Sequence, residues 1–547
     1  MLSHDSNMKK YYPILLFFIF IIIIESFFFL CNSKTESLLD VFDLFAKGSF
    51  YKAIFYFISF LVCIFSIAIT PFIRSVYIAV IMGFIVSLSY AVDISYLKIN
   101  GWGITLTDLI ILFSESLNYL WHFCVAYSTE IQYGLLFMVV SFICFYFCRI
   151  STEKRIPNYF VIVPVFSIVL AFAIQVKTAA TFSYKLPAPQ QVLSYLVYWH
   201  SFKPYFGDRE VLYLKPESQK KYSNIIWIID CSINGNYLGI NDRMFNTTPF
   251  LKEISHLYIN SGSVASITNC SSTSNIFLMG VGEKNNLPDF NEKLLKKPSI
   301  FAYAQNAGYK TAYISAQSND SKLQNHITNY DMSDIDYFHQ PTTSKEKDPV
   351  YADEYLAHHI IDYLGKYDGS FIYAVKSGAH FPWQDNYPPE EALYKPSLIG
   401  NSSISSADYK TRLNTYLNSI YWKTDHFFQT LLSDQSILDN TLMIYTSDHG
   451  QVISSEHIKQ THCSTFDPDV QEGIVPLIYF SNDFSKVKPS ASMFQYIPIT
   501  LDVMGYNATI SKINSFTDFE KPSFFFGHLF PKNSLQQYGK KSIIKGQ

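Results

Sequence analysis

The residues best suited to chemistry are an Asp-His pair that directly follows a β-rich apolar run. Leu442–Thr446 leads into Ser447, Asp448, His449 and Gly450. In a tight turn just past a strand, a neighbouring carboxylate and imidazole can reach the same one or two metal ions, and this pairing suits Zn²⁺ and also Mn²⁺. An Asp-capped turn with an exposed histidine is the alternative for this motif taken alone.

Two further histidines lie in polar loops and are candidates for the same site. His380 follows Ser377-Gly378-Ala379, and His462 lies between Thr461 and Cys463. An imidazole in either place could protonate a leaving group or hold a second metal. For each histidine alone, a solvated loop position is the alternative. His457 lies in the same loop, but we prefer His462.

A cluster of hydroxyl residues supplies a candidate nucleophile. Residues 269–275 read Asn-Cys-Ser-Ser-Thr-Ser-Asn and precede the apolar run 276–279. A hydroxyl at the start of a helix faces free N–H groups and the positive end of the helix dipole. When such an oxygen binds a metal it loses its proton more easily and can attack phosphorus. The alternative is an ordinary helix cap.

These motifs need a scaffold that brings them together, and the C-terminal two thirds of the chain predicts one. Short β-rich runs alternate with helical stretches, which is typical of a largely parallel sheet sandwiched by helices. Polar residues follow four of the runs, and open α/β sheets bind ligands at the carboxyl ends of their strands. The runs are 225–229, 311–314, 371–375, 442–446 and 475–480; the helical stretches include 298–307, 351–364 and 409–432; the polar ends are 230–232, 315–317, 376–380 and 447–450.

The N-terminal third predicts an α-helical membrane bundle of about five spans. The chain has 547 residues, a mean hydropathy of +0.10 and only 16 % charged residues, which excludes disordered, collagen-like and ordinary cytosolic classes. Apolar stretches long enough to span a bilayer lie near 11–31, 53–73, 75–92, 131–148 and 159–176. Residues 105–128 are interrupted by polar side chains and predict an interfacial helix, with a sixth span as the alternative. The predicted domains are 1–180 in the membrane, a 181–222 linker with a short interfacial helix, and a soluble 223–547.

Positive charges near the span ends predict the orientation. With five spans, the basic residues that precede the first span, follow the second and follow the fourth share one side: Lys9, Lys10, Arg74, Arg149, Lys154 and Arg155. That side is the cytoplasm, so the N-terminus is cytoplasmic and the soluble domain is outside, which is the periplasm in a cell with two membranes. A net charge of −3 gives no reason to expect a nucleic-acid partner.

The motifs together resemble the membrane phosphoethanolamine transferases of the alkaline phosphatase/sulfatase superfamily, which modify lipid A or lipopolysaccharide core. The resemblance rests on Asn224–Gly239, Thr247–Leu251, Cys270–Asn275, Ala307–Thr311 and Ser447–Gly450, in this order. Five N-terminal spans are also the layout of this family. The resemblance implies a sulfatase-like domain attached to the inner membrane and one or two Zn²⁺ ions. It also implies transfer of phosphoethanolamine from phosphatidylethanolamine to a glycolipid acceptor through a covalent Ser or Thr intermediate.

The resemblance also implies roles for single residues. Counting from Cys270 puts the family's nucleophile at Ser274, with Thr273 as the neighbouring alternative. Asp448 and His449 match the zinc-ligand pair. His380 and His462 match two histidines of the family's site. Residues 318–322 resemble a polar stretch of the family, and they suggest that three residues contact substrate: Gln317, Asn319 and Lys322.

One position departs from the family pattern. Cys231 stands where the family has a zinc-binding Glu. A thiolate is a good zinc ligand, and the neighbouring Asp230 is the alternative ligand. Either change alters the charge at the metal, so a catalytically impaired membrane pseudoenzyme or scaffold is an alternative function.

Two cysteines of the soluble domain flank proposed site residues and suggest a disulfide. Outside the cytoplasm nearby cysteines usually pair, so we expect a bond between Cys270 and Cys463, which leaves Cys231 free for a metal.

The same sequence features disfavour some of the other possible activities and leave others open. A sulfatase is disfavoured because residues 270–274 lack the Pro and Arg that formylglycine formation needs. A transporter is disfavoured because Glu25 is the only clear charge inside the spans. A phosphoglycerol transferase or another hydrolase of the superfamily stays open.

Overall fold

The computed structural model describes most of the chain. The described residues are 48–114, 117–153, 155–178, 180, 186–202, 204–205, 207–289, 291–317, 327–400, 402–454, 460–465, 468–508, 524–529 and 535–539, with Ile19 and Ala46. They form two compact units, one within 1–114 and 127–203 and the other within 115–126 and 204–547. The predicted span at 11–31 lies outside the described residues, apart from Ile19.

Four helices of the N-terminal part are long and apolar enough to cross a membrane, among the residues that the structure describes: Phe50–Phe72, Val76–Asn100, Ser128–Ile150 and Asn158–Thr178. They agree with four of the predicted spans. The stretch predicted as one interfacial helix, 105–128, holds two helices of nine and ten residues, each shorter than the roughly 20 residues that a crossing needs. The helices are α1 (Phe50–Ile69), α2 (Val76–Asn100), α3 (Leu106–Ser114), α4 (Leu117–Ala126), α5 (Ser128–Ile150), α6 (Ile162–Thr178) and α7 (Ala188–Ser201).

The ends of the membrane helices are fixed by local chemistry. Ser75 caps α2, its Oγ accepting a hydrogen bond from the Ile78 N–H at 3.4 Å. Gly101 ends the helix with a φ of +83°, a conformation that glycine adopts without steric cost. The buried Arg149 donates hydrogen bonds of 2.7 Å to the carbonyl oxygens of Pro71 and Ile73, which satisfies carbonyls at the turn between α1 and α2.

The C-terminal unit is built on a seven-stranded mixed sheet, as the alternating pattern predicts. The strands lie in the order β2-β7-β6-β1-β5-β3-β4, with parallel pairing throughout β6-β1-β5-β3-β4 and antiparallel pairing of β7 with both of its neighbours. All five predicted strands are confirmed, whereas β2 and β4 were not predicted. The strands are β1 (Asn224–Asp230), β2 (Tyr258–Ala265), β3 (Lys310–Ser315), β4 (Tyr337–His339), β5 (Ser370–Val375), β6 (Thr441–Ser447) and β7 (Ile474–Phe480), with a separate pair β8 (Phe525–Phe526) and β9 (Gln536–Gln537).

Helices flank this sheet, and the predicted helical stretches are among them. Residues 409–431 are continuous helix, with a π-helical turn at Tyr421–His426 between two α-helices. The helices are α8 (Pro249–Glu253), α9 (Ser271–Met279), α10 (Lys293–Lys296), α11 (Ile300–Asn306), α12 (Ala352–Leu364), α13 (Tyr409–Ile420), α14 (Phe427–Leu431) and α15 (Tyr496–Val503).

The central strand β1 shows why the sheet forms here. Its run Ile225–Ile229 is fully buried, as expected for a strand covered on both faces. Trp227 packs against Phe371 of β5 and Tyr496 of α15, and its indole N–H donates to Thr500 Oγ1 at 2.9 Å. The apolar run therefore fixes the strand that ends at the candidate site.

Candidate active site

The carboxyl ends of β1 and β6 bring together three potential metal ligands. The two strands are parallel neighbours, with Asp230 paired to Ser447, so the residues that follow them meet at one edge of the sheet. There Cys231, Asp448 and His449 are all buried, and their donor atoms lie within 4.8 Å of one another. The sequence placed these residues in separate motifs, and the parallel pairing joins them.

The hydrogen bonds of this group leave donor atoms for a cation. Asp448 Oδ1 accepts from the backbone N–H of His449 at 2.7 Å, while Asp448 Oδ2 is buried and has no hydrogen-bond partner among the described residues. His449 Nδ1 donates to the Gly450 carbonyl oxygen at 2.7 Å, which leaves Nε2 as the unprotonated nitrogen. A buried, unpartnered carboxylate oxygen is costly, and a bound cation removes that cost.

The thiol of Cys231 completes this arrangement. Burial, and then the negative charge of Asp448, raise the pKa of the Cys231 thiol well above its ordinary value. The same negative charge attracts a cation, and a coordinating thiol is deprotonated by the metal that it binds. Cys231, Asp448 and His449 therefore fit a thiophilic divalent ion such as Zn²⁺.

The hydroxyl next to this group belongs to Ser271. Ser271 is the first residue of α9, and its Oγ lies 3.0 Å from His449 Nε2 and 3.8 Å from Cys231 Sγ. Because β7 is antiparallel to both β6 and β2, β2 runs in the same direction as β6 and delivers the start of α9 to the same edge of the sheet. Ser271 thus has the surroundings that the sequence reasoning sought in Ser274.

The structure gives Ser274 and Thr273 other surroundings. The Ser274 hydroxyl is fully buried, donates to the Asp448 carbonyl oxygen at 2.7 Å and lies 3.0 Å from Thr268 Oγ1. It therefore holds α9 against the Asp-His turn. Thr273 is buried in the same helix and has no hydrogen bond to the ligand group among the described contacts. The sequence reasoning did not single out Ser271, because it counted from Cys270 by the resemblance. The place of Ser271 directly after the helix cap was the available signal.

His380 and His462 lie beside the ligand group. The His462 ring stacks on His449 with centroids 4.3 Å apart and lies 6.1 Å from the ring of His380. Burial, and then the neighbouring imidazoles of His449 and His380, lower the pKa of His462 well below its ordinary value. His380 Nδ1 donates to the Phe381 carbonyl oxygen at 2.8 Å, which leaves Nε2 as its basic nitrogen. Three imidazoles thus line one side of the site.

Asp230, the alternative ligand to Cys231, points to a different partner. Asp230 Oδ2 accepts from Lys376 Nζ at 2.5 Å and from the Tyr445 hydroxyl at 2.9 Å. Lys376 and Lys423 are both buried, and each lies 3.7 Å from Asp353 Oδ2. Asp230 is therefore part of a buried network of two acids and two lysines, whereas its neighbour Cys231 belongs to the ligand group.

This network also positions the loop that carries His380. Asp353 Oδ1 accepts from the Ser377 N–H at 2.7 Å and Oδ2 from the Gly378 N–H at 3.1 Å. Gly378 has a φ of +63°, and a Cβ there would lie 2.3 Å from the Cys231 carbonyl oxygen. Only glycine allows this close approach.

A disulfide joins two loops of the site. Cys270 and Cys463, the pair that the sequence suggested, are bonded with their Cα atoms 4.6 Å apart. The bond links the residue before Ser271 to the residue after His462, and the Cys463 N–H also donates to the Asn269 carbonyl oxygen at 2.8 Å. Cys231 has a free thiol.

The predicted substrate contacts are only partly described. Gln317 Nε2 donates to the Lys376 carbonyl oxygen at 3.1 Å, at the end of the neighbouring strand. Asn319, Lys322 and the reserve ligand His457 lie outside the described residues.

Comparison with known families shows which family the soluble domain resembles. The sulfatase family model matches residues 223–506, which is more than half of the chain and includes the ligand group and Ser271. The chain belongs to the sulfatase family. Its relatives are enzymes, and two similar curated ones share one name.

Both are named Kdo(2)-lipid A phosphoethanolamine 7''-transferase. The protein of Salmonella typhimurium is 25 % identical over 300 residues, covering 53 % of this chain and 50 % of the relative. That of Escherichia coli is 24 % identical over 284 residues, covering 51 % and 48 %. The chain thus spans about half the length of these curated relatives.

A solved structure extends the likeness to the membrane part. The integral membrane protein lipooligosaccharide phosphoethanolamine transferase A (EptA) from Neisseria meningitidis matches with a TM-score of 0.57. The match covers 81 % of this chain and 88 % of that one, at 16 % sequence identity. This confirms the predicted fold class, helical membrane segments followed by a sulfatase-like α/β domain.

Proposed function

We propose that this membrane protein transfers phosphoethanolamine from phosphatidylethanolamine to a glycolipid of the lipid A or lipopolysaccharide type. The observation that carries the proposal is the Ser271 hydroxyl, 3.0 Å from His449 Nε2 at the edge of a buried Cys-Asp-His group. The names of the curated relatives supply the transferred group and the acceptor class. The donor follows from the chemistry, because phosphatidylethanolamine carries this group at the membrane surface.

Zinc is the metal that we propose for the Cys-Asp-His group. Asp448 Oδ2 has no hydrogen-bond partner among the described residues, and the lone pair of His449 Nε2 is directed to the same place. The thiol of Cys231 favours zinc over manganese, because thiolate ligands prefer softer ions. When bound, the metal lowers the pKa of a neighbouring hydroxyl and offsets the negative charge of a phosphoryl group. Cys231 thus keeps a ligand at the position where the family has Glu.

Ser271 is the nucleophile of this proposal. Its Oγ forms a bond to phosphorus, the phosphorus–oxygen bond to diacylglycerol breaks, and diacylglycerol leaves with the proton that Ser271 loses. The acceptor hydroxyl or phosphate oxygen then attacks the same phosphorus, and Ser271 regains a proton as its own bond breaks. The free N–H groups at the start of α9 stabilise the charge that develops on the phosphoryl oxygens.

The neighbouring imidazoles orient the reacting groups, and one of them moves a proton. Burial beside His449 and His380 keeps the His462 ring neutral, so a ring nitrogen can accept a hydrogen bond from an incoming hydroxyl without adding positive charge beside the ligand group. His380 is oriented by its hydrogen bond to the Phe381 carbonyl oxygen and can return a proton to the leaving diacylglycerol. His380 thus takes the leaving-group role that the sequence suggested for His380 or His462.

Attachment to the membrane would bring this chemistry to the lipids. We propose an inner-membrane protein with a cytoplasmic N-terminus and a periplasmic soluble domain. Four described helices are long and apolar enough to span a bilayer, and the Cys270–Cys463 disulfide suits an oxidising compartment. Phosphatidylethanolamine and a glycolipid acceptor would then both lie at the surface that faces the soluble domain.

The test compares four small side-chain changes in one helix turn. Envelope lipids from cells with the wild type or with Ser271→Ala, Ser272→Ala, Thr273→Ala or Ser274→Ala are analysed by mass spectrometry for added phosphoethanolamine. We expect the addition to be lost only in Ser271→Ala, while Ser274→Ala lowers stability and protein level. Ser272→Ala is the matched control, since it removes a hydroxyl from the same turn. No added phosphoethanolamine with the wild type would refute the transferase proposal.

A further inference from the structure

A second group of potential metal ligands lies away from the Cys-Asp-His group. His339 ends the edge strand β4, Glu346 follows in a turn, and His359 lies in α12. Their donor atoms lie within 4.8 Å of one another, and this is the other such group among the described residues. The three residues are 7 and 13 positions apart, so only the fold brings them together.

The distances in this group fit a tetrahedral zinc ion. Glu346 Oε1 lies 3.0 Å from His359 Nε2 and 3.4 Å from His339 Nε2, and the two rings are 3.8 Å apart. Two ligand atoms that are each about 2.0–2.1 Å from one tetrahedral ion lie roughly 3.3 Å apart. Their side chains are 17 % (His339), 11 % (Glu346) and 27 % (His359) exposed, so an ion could enter from solvent.

The carboxylate of Glu346 is held in place by its other oxygen. Glu346 Oε2 accepts from the backbone N–H groups of Thr342 and Thr343, both at 2.9 Å, and from their hydroxyls at 3.3 and 3.1 Å. With Oε2 engaged in this way, Oε1 is directed to the two imidazoles. Such outer hydrogen bonds to a ligating carboxylate are typical of metal sites in proteins.

We propose that His339, Glu346 and His359 bind a zinc ion in addition to the ion of the Cys-Asp-His group. Two imidazoles and one carboxylate are a common zinc ligand set that leaves the fourth position to water. These three residues would bind the ion whether or not the protein is a transferase.

The ion would fasten the edge of the sheet to a helix that supports the catalytic site. It would join β4 to α12, and Asp353 in the first turn of α12 accepts hydrogen bonds from the Ser377 and Gly378 N–H groups of the His380 loop. A strand of three residues at a sheet edge has few hydrogen bonds of its own, so a metal there adds stability where the sheet has least.

The test counts zinc in the full-length protein. Wild type, His359→Gln and Glu346→Gln are equilibrated with a zinc buffer, freed of unbound metal and analysed by plasma mass spectrometry. His358→Gln is the matched control, because His358 is the next residue of α12 and its side chain is 57 % exposed. Asp448→Asn serves as the background that removes the other ion.

We expect one zinc fewer per chain in His359→Gln and Glu346→Gln than in the wild type, and no loss in His358→Gln. In the Asp448→Asn background, added Co²⁺ should give the visible absorption of a tetrahedral site, which His339→Gln abolishes. This spectrum needs no catalytic activity and no unfolding measurement. Equal zinc content in wild type and His359→Gln, or no cobalt absorption in the Asp448→Asn background, would overturn the proposal.

Discussion

Removing the Cys270–Cys463 disulfide should destabilise the soluble unit by several kcal/mol. The bond spans 193 residues, and the loss of loop-closure entropy in the unfolded chain gives an upper value of about 5 kcal/mol for a loop of this length. Measured losses of native disulfides are typically about 2–5 kcal/mol. For a unit of this size, that corresponds to a fall of roughly 3–7 °C in the unfolding midpoint. The double variant Cys270→Ala/Cys463→Ala avoids leaving a reactive thiol.

The assay follows tryptophan fluorescence during heating of the full-length protein, in which Trp227 and Trp383 are fully buried. Cys124→Ala is the control, because Cys124 is an exposed free cysteine and the change is the same. We also expect lipid modification to fall more than protein level, because the disulfide holds the start of α9 beside the His462 loop. An unfolding midpoint equal to that of the Cys124→Ala control would refute the reasoning.

Three other perturbations test how the site is supported. Burial raises the pKa of Glu472 from 4.5 to about 7. As the pH rises from 4.5 to 7, the free energy of unfolding of the wild type should therefore fall by roughly 3 kcal/mol relative to Glu472→Gln, because the unfolded chain releases this proton and the folded chain keeps it. Urea unfolding measures the difference, and parallel pH curves for the two proteins would contradict it. Gly378→Ala puts a Cβ 2.3 Å from the Cys231 carbonyl oxygen, so it should lower the melting midpoint. The fall should be far larger than in Gly400→Ala, where φ is also positive but no atom lies within 4 Å of the added Cβ. Equal shifts of the midpoint in the two variants would exclude the clash. Lys376→Met leaves the Asp230 charge buried without its lysine partner, which should lower the free energy of unfolding in urea by about 3–5 kcal/mol. The double variant with Asp230→Asn should regain part of that free energy. No regained stability in the double variant would argue against the ion pair.

The strands and the ligand group could be predicted from the sequence because a strand buried on both faces is a continuous apolar run. The run Ile225–Ile229 is apolar throughout since both of its faces are covered, and polar residues begin where the strand ends. Parallel pairing then brings Cys231 beside Asp448. The short edge strand β4 has no such apolar run, because its three residues are only half-buried and include His339.

The choice of Ser271 as the proposed nucleophile depends on where a helix begins, which the pattern of hydroxyl residues does not show. Ser271 and Ser274 are three residues apart, and both fit the same polar cluster. Once α9 starts at Ser271, that hydroxyl faces His449, while Ser274 lies one turn further and meets the Asp448 carbonyl oxygen. Asp230 is a similar case, because its partner Lys376 is a buried lysine that the sequence pattern alone does not reveal.

Peptide mass spectrometry tests directly whether Ser271 carries the transferred group. Full-length protein is incubated with phosphatidylethanolamine in the absence of acceptor, digested, and the peptide that contains residues 271–274 is fragmented to locate an added phosphoethanolamine. We predict the group on Ser271 in the wild type and in Ser272→Ala, and no modified peptide in Ser271→Ala. A modification on Thr273 or Ser274, or one that persists in Ser271→Ala, would contradict the account.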